Sequence, residues 1–248
     1  WDTVEWLLHN VPNNNGRLGQ LGISYPGFLA NATAFEPHPA IKALSPQATM
    51  GDGWMGDDFF HQGAFRLSYG LEYAWEMEAS SDQSIMPSPG RYDTYDWYLS
   101  FPTLSALGAA VGANDWPTWR LFSTHPAYDS IWTVRAITRR LKSAPVPTLS
   151  VGGWWDQEDI YGTPHAYAAM EAGDSAHRNY LAIGPWFHGE WFLEAGDTLG
   201  AVQFGTATGE TYRRTIEAPW FAWWLKDKGV TPKGTAGSTR PSMRSATA

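Results

Sequence analysis

Gly22-Ile23-Ser24-Tyr25-Pro26-Gly27 places a serine between a short apolar run, Leu18 to Ile23, and a helix-like run, Gly27 to Phe35. A hydroxyl on a tight turn between strand and helix is lifted clear of the sheet. It can attack a carbonyl once a base takes its proton. The N–H of Tyr25, at the start of the helix, is placed to stabilise the resulting oxyanion by hydrogen bonding and the helix dipole. Glycines suit such a turn because side chains there would meet the neighbouring strand and helix. The spacing alone says little in a chain with 25 glycines, so its meaning depends on catalytic partners elsewhere in the chain.

Two later segments supply them. Pro145 to Val151 reads as a buried strand between prolines and Gly152-Gly153, and Trp154-Trp155-Asp156-Gln157-Glu158-Asp159 comes next. Tyr180 to Gly184 is another short apolar strand, followed by Pro185-Trp186-Phe187-His188-Gly189. Serine, then acid, then histidine, each after its own strand, is the chain order of an α/β-hydrolase triad. In that chemistry Ser24 attacks, His188 takes and returns the proton, and Asp156 fixes the imidazole tautomer and stabilises its charged form. Other readings stand beside these. Ser24 also suits an ordinary turn, and Glu158 or Asp159 could orient a histidine in place of Asp156. Six further histidines exist, at positions 9, 38, 61, 125, 165 and 177. His38 lies in a Pro-His-Pro loop and His165 within a helix, so neither follows a strand at the right place.

Gly-Ile-Ser-Tyr-Pro-Gly-Phe (22–28), Asp-Gly-Trp-Met-Gly-Asp-Asp-Phe-Phe-His (52–61), Trp-Asp-Gln-Glu-Asp (155–159) and Gly-Pro-Trp-Phe-His (184–188) resemble the α-amino acid ester hydrolases. These belong to a wider group with X-Pro dipeptidyl-peptidases and cocaine-esterase-like enzymes, and the resemblance runs from Trp1 to about Lys228. It implies Ser24, Asp156 and His188 as the triad and the Tyr25 N–H as an oxyanion donor. It also implies Asp58, Glu158 and Asp159 as a carboxylate cluster that binds the substrate's α-ammonium group. Such a cluster makes physical sense, because converging carboxylates repel one another until a cation neutralises them. The same acids would also suit helix starts, where the macrodipole favours them. The implied activity is a serine hydrolase or acyltransferase cleaving esters or amides of α-amino acids, among them β-lactam antibiotics with an α-amino acyl side chain. An X-Pro dipeptidyl-peptidase or a carboxylesterase of the same superfamily is the alternative, and an inactive remnant is another.

The elements that must hold these groups define an α/β class, a partial α/β-hydrolase sheet with flanking helices and a helical insertion. The expected organisation is a core part at 1–49, a helical cap at 50–144, a second core part at 145–228 and a disordered tail at 229–248. Trp1 to Asn10 patterns as an amphipathic helix with Val4, Leu7 and Leu8 on one face. Ile41 to Leu44 patterns as a strand, and the insertion has helical spacings, as in Phe59, Phe60, Phe65, Leu67 and Leu71, with Pro87, Pro89 and Gly90 marking a loop. Tyr212 to Lys226 patterns as the last core helix. Only 23 residues precede Ser24, where the full fold carries four strands. The chain is therefore expected to be a piece lacking those strands and the C-terminal jelly-roll of its relatives.

Composition narrows the classes. A net charge of −8 argues against nucleic acid and against anionic membrane surfaces. No run of 18 apolar residues suggests a membrane span. With no cysteine, disulfides, zinc-thiolate sites and thiol nucleophiles are excluded. No metal or cofactor is expected, and the partner is a small-molecule substrate. Homo-oligomers and a periplasmic or secreted location are implied by the resemblance alone. Fifteen tryptophans raise the rival of a sugar-binding module, but they sit in apolar helical patterns and such a module needs neither Ser24 nor His188.

Overall fold

A computed structural model describes residues 1–80, 86, 88–90 and 93–229, together with the backbone of 244–245. Pro87 of the expected loop and residues 230–243 and 246–248 of the expected tail lie outside the described residues. In chain order the elements are α1 (Asp2–Asn10), β1 (Leu18–Ile23), α2 (Tyr25–Thr33), β2 (Ile41–Gln47), β3 (Phe60–His61), β4 (Ala64–Phe65) and α3 (Leu67–Glu78). Next come α4 (Tyr95–Leu99), α5 (Leu104–Val111), α6 (Pro117–Thr124) and α7 (Ser130–Thr133). After a 3₁₀ turn at Ile137–Arg139 follow β5 (Thr148–Gly153), α8 (Gly162–Glu171), β6 (Asn179–Gly184), α9 (Glu190–Leu193), β7 (Thr198–Leu199) and β8 (Val202–Gln203). A long helical stretch closes the described core: α10 (Thr208–Tyr212), a π turn (Arg213–Glu217) and α11 (Ala218–Lys226), before the two-residue β9 (Arg244–Ser245).

The chain divides into two compact units, residues 1–52 with 136–248, and residues 53–135. The first unit has the expected α/β architecture. Its sheet runs β1-β2-β5-β6, all parallel, with β9 beside β6. Parallel strands need crossovers, and α2 and α8 supply them for β1–β2 and β5–β6. Strands buried on both faces read as continuous apolar or small-residue runs, and β5 is buried at all six positions. One core layer holds Leu149, Val151, Trp186, Trp191, Tyr212 and Trp220, and another holds Ile137, Leu141, Ala166 and Met170.

The second unit is built on aromatics. Phe60, Phe122 and Trp132 form one cluster, and Leu71, Leu107 and Trp119 another, with Phe65 packed against both. The helical spacing expected from Phe59 onward holds only from Leu67. Phe60 and Phe65 instead face each other across a β-hairpin closed by Gln62 (φ 51°) and Gly63 (φ 87°). Two successive residues with positive φ make the tight hairpin turn whose twist matches the flanking strands, so Phe60 and Phe65 meet as a cross-strand pair. The tryptophans contribute mainly to cores: Trp75, Trp119, Trp132, Trp186, Trp191 and Trp220 are all buried.

Two further differences from the sequence expectation have local causes. The strand expected from Pro145 starts at Thr148, because Pro145 and Pro147 have no N–H to give to the ladder. It continues through Gly152 and Gly153, where a side chain at 153 would collide with the Trp186 carbonyl. The last helix contains a π turn just ahead of Pro219. Proline cannot donate to the carbonyl four residues back and its ring crowds that group, so the helix widens to admit it.

Two tests arise from this packing. A methyl group at Gly27 would collide with the Gln47 carbonyl, so Gly27→Ala is expected to destabilise by about 1–3 kcal/mol. Thermal unfolding should show Tm falling by about 2–4 °C per kcal/mol in a chain this size; an unchanged Tm would contradict the packing. Glu190, buried at the start of α9, has its carboxyl pushed up by desolvation, opposed by the Phe187 N–H and reinforced by Glu194 and Asp197. A raised folded value means the protonated form is preferred in the fold. The stability it contributes is therefore lost as pH rises from about 4.3, the unfolded carboxylate range, through the folded value. In urea titrations Glu190→Gln should flatten that decline while leaving stability at low pH unchanged; an identical pH slope in both proteins would refute it.

Candidate active site

The turn at Ser24 lies between strand and helix, as its sequence suggests. Ser24 sits between β1 and α2 with φ 64° and ψ −129°, an unfavourable backbone region for a non-glycine residue. It is kept there by its surroundings. Its N–H donates to the Gln47 carbonyl at 3.0 Å, and its own carbonyl accepts from the Phe28 N–H at 3.0 Å. Side chains at Gly22 and Gly27 would collide with the Pro26 carbonyl and the Gln47 carbonyl respectively, so both positions require glycine. The Tyr25 N–H precedes the first hydrogen-bonded turn of α2, and the Tyr25 ring is exposed. That N–H belongs to the orphan donors of a helix start.

The acid and histidine loops are fastened to each other. Beyond the ends of β5 and β6 the ladder continues, with the Trp154 N–H donating to the Gly184 carbonyl at 2.9 Å and the Trp155 N–H to the Trp186 carbonyl at 3.0 Å. This register brings Asp156, which is 1% exposed, against His188. The His188 Nδ1 lies 3.0 Å from each carboxylate oxygen of Asp156. A carboxylate only accepts, so Nδ1 carries the hydrogen, and Nε2 of the neutral ring is left as the proton acceptor. Asp156 Oδ1 also accepts the N–H groups of Glu158 and Asp159, each at 2.9 Å. Three donors hold that carboxylate in place.

Two more carboxylates approach the same ring. Glu158 Oε2 lies 3.7 Å from Nε2, and the buried Asp159 carboxylate lies 3.8 Å from Nδ1. The structure thus gathers Asp156, Glu158, Asp159 and His188. Ser24 comes to the same end of the sheet, since a methyl group at Gly189 would lie 4.0 Å from the Ile23 side chain. Asp58 belongs to the second unit, where it is buried with φ 31° and its Oδ1 accepts from the Tyr69 hydroxyl at 3.0 Å. The Arg66 guanidinium donates to the Asp58 carbonyl at 2.7 Å and stacks over the Tyr69 ring at 4.4 Å. Of the rejected histidines, His38 is engaged elsewhere, with Glu5 at 2.8 Å, and His165 stacks on Tyr161.

Sequence reasoning passed over Gln47, whose carbonyl anchors the Ser24 turn. The strand expected over Ile41 to Leu44 runs on past Pro46 to Gln47, and the available signal was a polar residue following that apolar run.

The chain is similar to known proteins. Residues 1–190 match the family described as X-Pro dipeptidyl-peptidase (S15 family). An aminopeptidase from the marine sediment archaeon Thaumarchaeota archaeon is 40% identical with a TM-score of 0.86, covering 92% of this chain. An α-amino acid ester hydrolase labelled with selenomethionine is 36% identical with the same TM-score, covering 93% of this chain. The chain spans 38% of the length of each of these two structures. An acylaminoacyl peptidase in complex with Z-Gly-Gly-Phe-chloromethyl ketone is 15% identical, with a TM-score of 0.51, covering 92% of this chain and 27% of that one, and shares the fold alone. A search of the curated proteins found no significant match. A strained serine turn, a paired histidine and aspartate, and a family match over residues 1–190 converge: the chain belongs to the X-Pro dipeptidyl-peptidase (S15) family.

Proposed function

We propose that this chain carries the catalytic groups of a serine hydrolase acting on esters or amides of α-amino acids that bear a free amino group. The observation that carries the reading is the His188 imidazole, held at 3.0 Å by the buried Asp156 carboxylate beside the strained Ser24 turn. Ser24 Oγ attacks the substrate carbonyl while His188 Nε2 accepts its proton. The charge on the carbonyl oxygen is met by the Tyr25 N–H, and Asp156 stabilises the imidazolium. His188 then returns the proton to the departing alcohol or amine, leaving an acyl-enzyme. Water, or an amine as acyl acceptor, reverses the sequence and frees Ser24.

The preference for an amino group is supported by charge. Glu158 near Nε2 and Asp159 near Nδ1 add two acids to the one the mechanism uses. Negative charge beside Nε2 favours the protonated ring, which cannot act as a base. A substrate ammonium bound by these carboxylates offsets that charge and gains charge-assisted hydrogen bonds. The two similar structures at 36–40% identity are named an aminopeptidase and an α-amino acid ester hydrolase, and a substrate with a free α-amino group fits both names. Asp58 is assigned to the same role by its motif. A β-lactam nucleus as leaving group or acceptor is the finer form of the proposal. The second reading, removal of X-Pro dipeptides, is favoured by the family's description and uses the same groups on a longer substrate.

Ser24→Ala should reduce turnover of phenylglycine methyl ester by at least about 10⁴-fold without loss of the folded state by circular dichroism. Residual turnover near wild type would overturn the nucleophile assignment. Glu158→Gln, and separately Asp58→Asn, should raise KM for the phenylglycine ester about tenfold or more while sparing the phenylacetate ester, as expected for loss of one charge-assisted contact. Equal losses on both esters would remove the ammonium-binding role. Faster cleavage of alanyl-prolyl anilide than of either ester would favour the dipeptidyl reading.

A further inference from the structure

We infer that Gln47 is a positioning residue for this chemistry, joining the nucleophile turn to the histidine loop through one buried amide. The inference rests on the hydrolase reading above, and it concerns a residue that takes no proton and touches no substrate. Gln47 is the last residue of β2 and is fully buried. Its backbone and side chain point their polar groups in two functional directions. The carbonyl accepts the Ser24 N–H at 3.0 Å and bars any side chain at Gly27, so it holds the strained turn from below. The side-chain Oε1 accepts the indole N–H of Trp191 at 2.7 Å. Trp191, also fully buried, stands three residues after His188.

The other end of the amide is fixed too. Gln47 Nε2 donates to Glu217 Oε1 at 2.8 Å and to Ser45 Oγ at 3.0 Å. Glu217 Oε1 also accepts the Tyr212 hydroxyl at 3.1 Å, and the Tyr212 phenol is pushed well above its usual range by burial and by Glu217. Glu217 is the last residue of the π turn that Pro219 imposes on the closing helix. Because both donors of a buried amide cannot be left unpaired cheaply, the Gln47 side chain has one orientation, with Oε1 toward Trp191. The histidine loop is then pinned on both sides: by the Trp155 N–H to the Trp186 carbonyl before His188, and by the Trp191 indole after it. A shift of Gln47 would move the serine turn and the imidazole relative to each other, and displacements of about 1 Å between reacting groups cost up to about 10²-fold in rate.

The test is the rate at which a fluorophosphonate probe labels Ser24, followed by mass spectrometry across a pH series. Gln47→Met and Trp191→Phe should each slow labelling about tenfold, and the double variant should be no slower than Gln47→Met alone, because both remove one bridge. Both should also move the acid limb of the labelling profile to lower pH, since a looser His188–Asp156 pair stabilises the imidazolium less. Met170→Ala, in the other core layer, destabilises without touching the bridge and should label at the wild-type rate below its melting temperature. The exchange Gln47→Glu with Glu217→Gln restores an acceptor toward Trp191 and a donor toward residue 47. It should recover most of the rate that Gln47→Glu alone loses. Wild-type labelling rates and profiles in both Gln47→Met and Trp191→Phe would overturn the inference while leaving the hydrolase reading intact. Failure of the wild-type protein to label at Ser24 would overturn that reading, and this inference with it.

Discussion

The site depends on a backbone ladder that outlasts its strands. β5 and β6 pair along their whole length in parallel register, from Thr148 with Asn179 to Gly153 with Gly184. Two further N–H to carbonyl bonds then carry the pairing into the loops, and these put the carboxylate of residue 156 within bonding distance of the imidazole of residue 188. Each loop alone would be free to wander, because neither contains regular structure before the helix that follows it, α8 or α9. Fastened together, they behave as an extension of the sheet. The cost is glycine at the strand ends, where Gly153 must leave room for the Trp186 carbonyl.

The serine is held by a different means. Its turn stores backbone strain at φ 64°, and strain persists only where the surroundings leave no alternative. Here the surroundings are the glycines at 22 and 27 and the carbonyl of Gln47, which accepts the Ser24 N–H at 3.0 Å. In the proposed mechanism, strain at Ser24 and a rigid ladder at His188 are complementary: the first fixes the turn that carries the hydroxyl, and the second fixes the ring. Since β1, β2, β5 and β6 are neighbours in that order, the two devices share one sheet edge-on, with β2 between them. Gln47 lies at the end of this intervening strand, which is why a single side chain can reach the support of one loop while its backbone supports the other.

Much of this was legible in the residues. β1 runs from Leu18 to Ile23 as its apolar pattern requires, and α2 starts at the residue after the serine because Pro26 favours the first helical turn. The order of serine, acid and histidine could be read because each follows an apolar strand bounded by glycine or proline. What sequence could not show was set by contacts distant in the chain. β2 continues through Ser45-Pro46-Gln47 although serine, proline and glutamine suggest a break, since Ser45 bonds the Leu149 carbonyl at 3.0 Å and Gln47 finds Trp191 and Glu217. The hairpin at 60–65 was hidden by aromatics whose spacing fits a helix equally well. It is decided by the positive φ at Gln62 and Gly63. The π turn is set by Pro219 and could have been suspected from a proline inside a helical pattern.

A crystal structure of the protein with a phosphonate bound covalently to Ser24 measures the geometry of Ser24, His188 and Asp156. The phosphonyl oxygen is expected about 2.7–3.1 Å from the Tyr25 nitrogen, and His188 Nε2 about 2.6–3.2 Å from Ser24 Oγ with Asp156 still on Nδ1. A phosphonate attached to another residue, or an imidazole turned away from Ser24 while its turn stays intact, would contradict it.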